Sequence, residues 1–269
     1  MKHDSKTTAL ITGASLGIGR ELARVFARQG HDLVLVARSR GRLEELKAEL
    51  EPKYQIHASV LVSDLSVPGA CGELFGKVRD LGLHVDYLVN NAGIGLHGPF
   101  QENELFREME MIQINITALT ELSKLFLPGM IREKRGGILN VASTAAFQPG
   151  PLMAVYYATK AYVLFLSEAM HEELRGSGIT VTTLCPGPTR SEFQERAGIG
   201  HVKLFTYAAM APEPVAEAGY RGLMRGKSVV IPGFLNQLAA FFTRLSPRWL
   251  LPRIVRWLQE ERRKKSSIP

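Results

Sequence analysis

Thr7–Gly30 reads TTALITGASLGIGRELARVFARQG, and this stretch decides the fold. Residues 7–12 are a short run of Thr, Ala, Leu and Ile, which predicts a buried strand. Gly13, Gly17 and Gly19 follow, and then an amphipathic helix through about Gln29 that Gly30 ends. Glycines at such a strand-to-helix turn let the main chain approach a pyrophosphate, whose charge is met by the positive helix terminus. The spacing is T-G-x-x-x-G-x-G, not the general G-x-G-x-x-G. Alone, such a turn is a weak signal, with a plain tight connection as its alternative.

Beyond Gly30 the pattern alternates. It predicts strands over Asp32–Arg38, Gln55–Ser63, Asp86–Asn90, Gly137–Ala142, Ile179–Leu184 and Ser228–Ile231. Between them it predicts helices over Arg40–Leu50, Val67–Leu81, Glu102–Lys134, Ala154–Arg175 and Pro214–Arg225. Seven strands alternating with helices specify an α/β fold, a doubly wound seven-stranded parallel sheet with helices on both faces. Ligands of such sheets bind beyond the carboxyl ends of the strands. The glycine turn, Asn90-Asn91-Ala92-Gly93, Ser143 and Pro186-Gly187 all fall on that edge.

The segment VASTAAFQPGPLMAVYYATK, residues 141–160, names a chemistry. Tyr156 and Lys160 are four apart and share one helix face. A free phenol has a pKa near ~10 and is a poor acid or base at neutral pH. A cation about 4 Å away, at an effective dielectric near ~20, favours the phenolate by about 4 kcal/mol before solvent losses. That is a ceiling of about three pKa units, so Tyr156 is expected near neutrality. Tyr157 has only Ala161 at plus four, which leaves Tyr156 as the acid/base. Ser143, at a strand end, is placed to hold a carbonyl oxygen.

TGASLGIG, NNAG, Ser143, YYATK and CPGPT together resemble the short-chain dehydrogenase/reductase family in its single-domain, Rossmann-fold form. The match runs from about Thr7 to Ile231, with its motifs in order and at the usual spacings. The resemblance implies that Gly13, Ser15, Gly17, Ile18 and Gly19 wrap the pyrophosphate and ribose. It implies that Asp64 meets the adenine edge, while Asn91, Ala92 and Gly93 shape the adenosine-ribose wall. Tyr156 would be the acid/base, Ser143 the carbonyl-positioning hydroxyl, and Lys160 the residue that holds the nicotinamide ribose and lowers the Tyr156 pKa. Asn115 resembles the anchor of a water in the proton relay, and Pro186, Gly187 and Thr189 the segment that orients the carboxamide. The plain alternatives are a satisfied mid-helix Asn115, a capping Asp64 and an ordinary loop Thr189.

The second strand runs into Ala37 and Arg38, with Arg42 one helical turn on. An NAD enzyme needs a carboxylate there, whereas an Arg suits a 2′-phosphate. NADP(H) is therefore the expected cofactor, in a carbonyl reductase or alcohol dehydrogenase. A non-catalytic NADP(H)-sensing protein on the same fold is the alternative.

Phe147 and Phe193, with Leu152 and Met153, are expected on the wall of a pocket for a hydrophobic ketone or aldehyde. A mobile lid is expected between the sixth strand and the Pro214 helix, carrying Phe193, Ile199, Phe205, Tyr207 and Met210, with Gly198 and Gly200 as hinges. His97 reads as a solvated loop residue, with the pocket edge as its alternative. Pairing into homodimers or homotetramers is expected through outward positions such as Phe165 and Leu166.

With 269 residues, 45% of them hydrophobic, the chain holds one catalytic domain, 1–232, and an extension, 233–269. The polar start MKHDSKT carries no secretory pattern, no apolar run reaches membrane-spanning length, and two cysteines suit a cytoplasmic protein. The seven His show no ligand spacing, so no metal is expected. The net charge of +7 sits in the extension, where eight cations face two carboxylates for a net +6, leaving +1 elsewhere. Nucleic-acid binding by the sheet domain is therefore not implied. The extension is rich in Phe, Leu and Trp, with Ser246-Pro247 reading as a helix start and Pro252 as a break or restart. Three readings stay open for it: packing over the pocket or a sister subunit, lying on an anionic membrane surface, or holding a partner protein.

Overall fold

A computed structural model describes residues 6–199 and 209–260. Seven parallel strands lie in the order β3-β2-β1-β4-β5-β6-β7. They are β1 (Thr8–Thr12), β2 (Asp32–Ala37), β3 (Ala58–Val62), β4 (Tyr87–Asn90), β5 (Gly136–Val141), β6 (Ile179–Leu184) and β7 (Val229–Val230). The order reverses between β1 and β4, which opens the crevice at their carboxyl ends.

Alternation along β1 divides the core. Ala9 and Ile11 face one layer while Leu10 faces the other, the period of two that a pleated strand imposes. The first layer holds α1 (Gly17–Arg28), α2 (Arg40–Tyr54) and, later in the chain, the helix Pro212–Met224, with Leu22, Phe26, Leu43, Leu46 and Leu223 buried. Phe26 meets Tyr220 edge-on at 4.9 Å. The second layer holds α3 (Ala70–Asp80), α4 (Leu105–Ile112), α5 (Leu119–Glu133) and α6 (Ala154–Glu173), with Leu74, Leu122, Phe126 and Met130 buried. Each such side chain contributes about 1.5–3 kcal/mol of burial.

Boundaries moved where a backbone conformation overrode the pattern. Helix α2 runs through Pro52 to Tyr54 and stops at Gln55, whose φ of 54 is left-handed, so β3 begins at Ala58 and not at Gln55. Helix α3 starts at Ala70 because Gly69, at φ 86, turns the chain first. The expected single helix from Glu102 starts at Leu105 and is interrupted by a π-helical turn over Gln113–Ala118.

Numbering the short Phe193–Arg196 helix α7 and Pro212–Met224 α8, the extension folds as α9 (Phe234–Leu245) and α10 (Leu251–Gln259). Ser246 closes α9 instead of opening a helix, and Pro252 sits in the first turn of α10, where its missing N–H costs nothing. Phe165 is exposed, as expected, while Leu166 is half-buried against the core. Gly200, Phe205 and Tyr207 of the expected lid, and the basic run 262–265, lie outside the described residues.

Candidate active site

At the end of β1 the chain turns through Gly13 and Gly17, at φ +66 and +51, a region that favours glycine. A Cβ on Gly19 would collide with the carbonyl oxygen of Gly13 and the amide of Asn91. The turn is tied to the next loop by side chains. Thr12 Oγ1 accepts from the N–H groups of Asn91 and Ala92, both at 3.0 Å, and Asn91 Nδ2 donates to Thr12 O at 2.9 Å. The residue before α1, Leu16, offers no capping side chain, and the first turn holds no acid. A helix terminus in that state keeps its orphan N–H groups for an anion. A dinucleotide fits this edge.

A cavity of about 880 Å³ runs along it, lined by Gly13, Ser15, Gly17, Ile18, Arg38, Asp64, Asn91, Ala92 and Gly93 at one end. Ser143, Tyr156, Lys160, Pro186, Gly187, Thr189 and Phe193 continue the lining. Arg38 is half-exposed, with Nη1 3.8 Å from Asp64 and 4.0 Å from Glu110. Burial opposes ionisation of Asp64, but two hydrogen bonds from Ser66, together with Arg38, hold its carboxyl below the usual value. Arg42 is a departure. Its guanidinium is held by Glu192 at 3.0 Å, and it does not line the cavity. Ser39, which the sequence reading passed over, does.

The reacting end is built by α6, β5 and the π-helical turn. Lys160 Nζ donates to Val141 O at 2.9 Å and lies 5.8 Å from the centroid of the Tyr156 ring. The π-turn swings Asn115 inward, where Oδ1 accepts from Ile94 N–H and Nδ2 donates to Ile94 O and Thr159 Oγ1, each at 3.0 Å. A Cβ on Gly93 would meet both Asn115 Oδ1 and Lys160 Nζ, at 3.2 and 3.4 Å. Asn115 and Lys160 thus meet across one glycine-cleared gap. Ser143 Oγ accepts from Ala145 N–H at 3.1 Å, which orients the hydroxyl at the end of β5.

One expectation fails here. Burial pushes the Tyr156 phenol up from its ordinary value, and hydrogen bonding to Ser143 only partly opposes it. Burial also holds Lys160 down, at about 8. The ammonium spends its contact on the Val141 carbonyl instead of the phenol oxygen, and its own desolvation weakens it as a charge. The Tyr156 phenol thus stays protonated at neutral pH and is not brought to neutrality.

The far end of the cavity belongs to the extension. Leu235, Asn236, Ala240, Val255, Leu258 and Gln259 line it. Gln259 is buried, its Nε2 donates to Tyr157 OH at 2.7 Å, and its carbonyl accepts from His97 Nε2 at 3.0 Å. His97 is therefore a latch for the extension, not a solvated loop residue. Val255 packs with Met153, Tyr157, Ala197 and Ile199, and Phe193 stands 5.6 Å from the Tyr156 ring. Phe147 is misplaced by the sequence reading. It packs with the Leu119, Val163 and Cys185 cluster and faces a separate shallow groove. Tyr157, Val255 and Gln259 were missed, since only the tertiary fold brings residues 157 and 259 together.

A family model described as short chain dehydrogenase matches residues 7–199. The chain belongs to that family of oxidoreductases. A solved short-chain dehydrogenase from Sphingobium yanoikuyae, in complex with NADPH, is 38% identical, with 89% of this chain and 92% of that one covered at a TM-score of 0.81. A bulky-bulky ketone specific alcohol dehydrogenase from Comamonas testosteroni is 32% identical, covering 89% and 93% at a TM-score of 0.75. The very-long-chain 3-oxoacyl-CoA reductase of Homo sapiens is 32% identical over 188 residues, 66% of this chain. The chain spans 58% of that curated relative's length. Among the described residues no helix is long and apolar enough to cross a membrane.

Proposed function

We propose that the chain is an NADP(H)-dependent oxidoreductase that reduces a hydrophobic ketone or aldehyde to the alcohol, or runs the reverse. The bound nicotinamide supplies or accepts the hydride. Ser143 holds the substrate oxygen, oriented by Ala145 N–H. Tyr156, which burial keeps protonated at neutral pH, gives its proton to that oxygen. Lys160, bonded to Val141 O, holds the cofactor ribose and passes protons toward the Asn115 side of the Gly93 gap.

The observation that carries this reading is the convergence of Ser143, Tyr156 and Lys160 on one cavity whose other end is a glycine cradle, with Asn115 beside Lys160 across Gly93. Arg38, the cation at the adenosine end, supports NADP(H) over NAD(H); Arg42 would have to leave Glu192 to assist. The apolar far wall supports a bulky substrate, in line with a relative named for bulky-bulky ketones and another named for 3-oxoacyl-CoA. Homo-oligomer formation through the exposed Phe165 face of α6, and a cytoplasmic setting, belong to the same proposal.

The test is consumption of NADPH and of NADH over a panel of ketones and aldehydes of increasing bulk, in wild type and Arg38→Ala. Wild type is expected to prefer NADPH, and the variant to lose about tenfold or more of that preference. Equal use of both cofactors by the wild type overturns the cofactor assignment. No turnover of any carbonyl overturns the reaction.

A further inference from the structure

The extension also has an outer face. Taking ~100° per residue along α9, Phe234, Leu235, Leu238, Phe241, Phe242 and Leu245 fall within one stripe about 120° wide. All six are exposed, Leu235 by 78%. Asn236 and Ala240, on the opposite side of the helix, point into the domain and line the cavity. So the apolar stripe faces outward, with Leu235 at one edge reaching the cavity and Phe241 at the other reaching the groove beside Phe147. Beyond it come Trp249, exposed by 65%, Ile254 and Trp257, with Arg253 stacked on the Trp249 ring at 5.4 Å.

Charge selects the occupant. Arg244, Arg248, Arg253 and Arg256 accompany these apolar residues, and the sequence puts +6 of the chain's +7 into residues 233–269. A second copy docking on this face through a two-fold axis would set the same cations against each other. An anionic lipid surface takes both components together: rings and leucines into the acyl boundary, guanidinium groups at the headgroups. We infer that the α9–α10 face docks the protein on anionic bilayers. Docking sets the membrane against the outer side of the helices whose inner side walls the cavity, so a lipophilic carbonyl would enter from the lipid phase. That consequence rests on the function proposed above, whereas docking itself does not, and vesicle binding reads docking alone.

The full chain is sedimented with vesicles of phosphatidylcholine alone and of phosphatidylcholine mixed with phosphatidylglycerol. Binding to the anionic vesicles is expected to be at least about tenfold tighter, and to fall by a similar factor when salt shortens the Debye length to ~3 Å. Phe241→Glu with Trp249→Glu should lose binding by about tenfold or more, with cofactor affinity unchanged as the control for folding. Arg244→Gln with Arg248→Gln should weaken binding to anionic vesicles and leave binding to neutral ones as it was. Equal binding to both vesicle types, or binding unmoved by both variant pairs, overturns the inference. So does a wild-type dimer that becomes monomeric in the Phe241→Glu, Trp249→Glu protein, which would assign the face to a second copy.

Discussion

The sheet edge and the carboxyl-terminal helices line the same cavity but are held by opposite means. At the edge, Thr12, Asn91, Asn115 and Lys160 interlock through main-chain carbonyls and N–H groups, with no room for a methyl group on Gly19. The extension is fastened by side chains at scattered points, among them Asn236 against Gly187, Gln237 on the Ile231 carbonyl, Val255 in the Tyr157 cluster, and Gln259 between Tyr157 and His97. Under the proposed function, the first construction serves the reaction and the second the choice of carbonyl.

The strongest way to break the comparison is at the edge. Gly19→Ala places a carbon against the Gly13 carbonyl, which cannot rotate away, and overpacking of this kind costs about 1–3 kcal/mol. Cofactor affinity, measured by NADPH fluorescence, is expected to fall by tenfold or more, and the melting temperature with it. Asn115→Ala strips a buried group of three hydrogen bonds and should cost about 1–3 kcal/mol in thermal unfolding. It should also lower kcat while leaving KM within about twofold, the pattern of a group that acts in proton transfer.

On the other side, Gln259→Leu keeps the volume but frees Tyr157 OH. It should cost about 1 kcal/mol and change the ratio of kcat/KM between a bulky and a small ketone several-fold, with NADPH affinity unmoved. A loss spread evenly over all substrates would erase the distinction between the two regions.

The smallest effect concerns pH. The folded Lys160 pKa, at about 8, lies below its ordinary 10.5, so the unfolded chain binds more protons between those values. Stability from this group therefore rises as pH climbs from about 8 toward 10.5 and is lacking below 8. Lys160→Met should melt at or slightly above wild type at pH 7, and the difference should shrink toward pH 10.

The edge was legible in the sequence because its demands are local. A glycine at a fixed offset from a strand, or a Tyr and Lys one helical turn apart, announces itself within a few residues. Ser143, Tyr156, Lys160 and the glycine turn accordingly line one cavity, with Asn115 beside Lys160 across Gly93, and their roles belong to the proposed function. What failed needed three-dimensional information. Phe147 sits four residues after Ser143, yet the 3-10 turn Thr144–Phe147 carries it away from the cavity. Arg42 is four residues from Arg38, but Glu192, 150 residues on, claims it. The Tyr156 pKa went the wrong way because spacing reveals a neighbouring charge and conceals both burial and the Val141 carbonyl. For the extension, composition left three readings open, and the contacts of Asn236, Val255 and Gln259 put it over the pocket.

The account stands on Tyr156 as the proton donor of a site otherwise complete. NADPH affinity and ketone reduction should be measured side by side in wild type and Tyr156→Phe, which removes one oxygen and leaves the ring against Phe193. The expected result is cofactor affinity within about twofold and reduction lower by about a hundredfold to ten-thousandfold. Reduction within a few-fold of wild type, with the cofactor still bound, would contradict it.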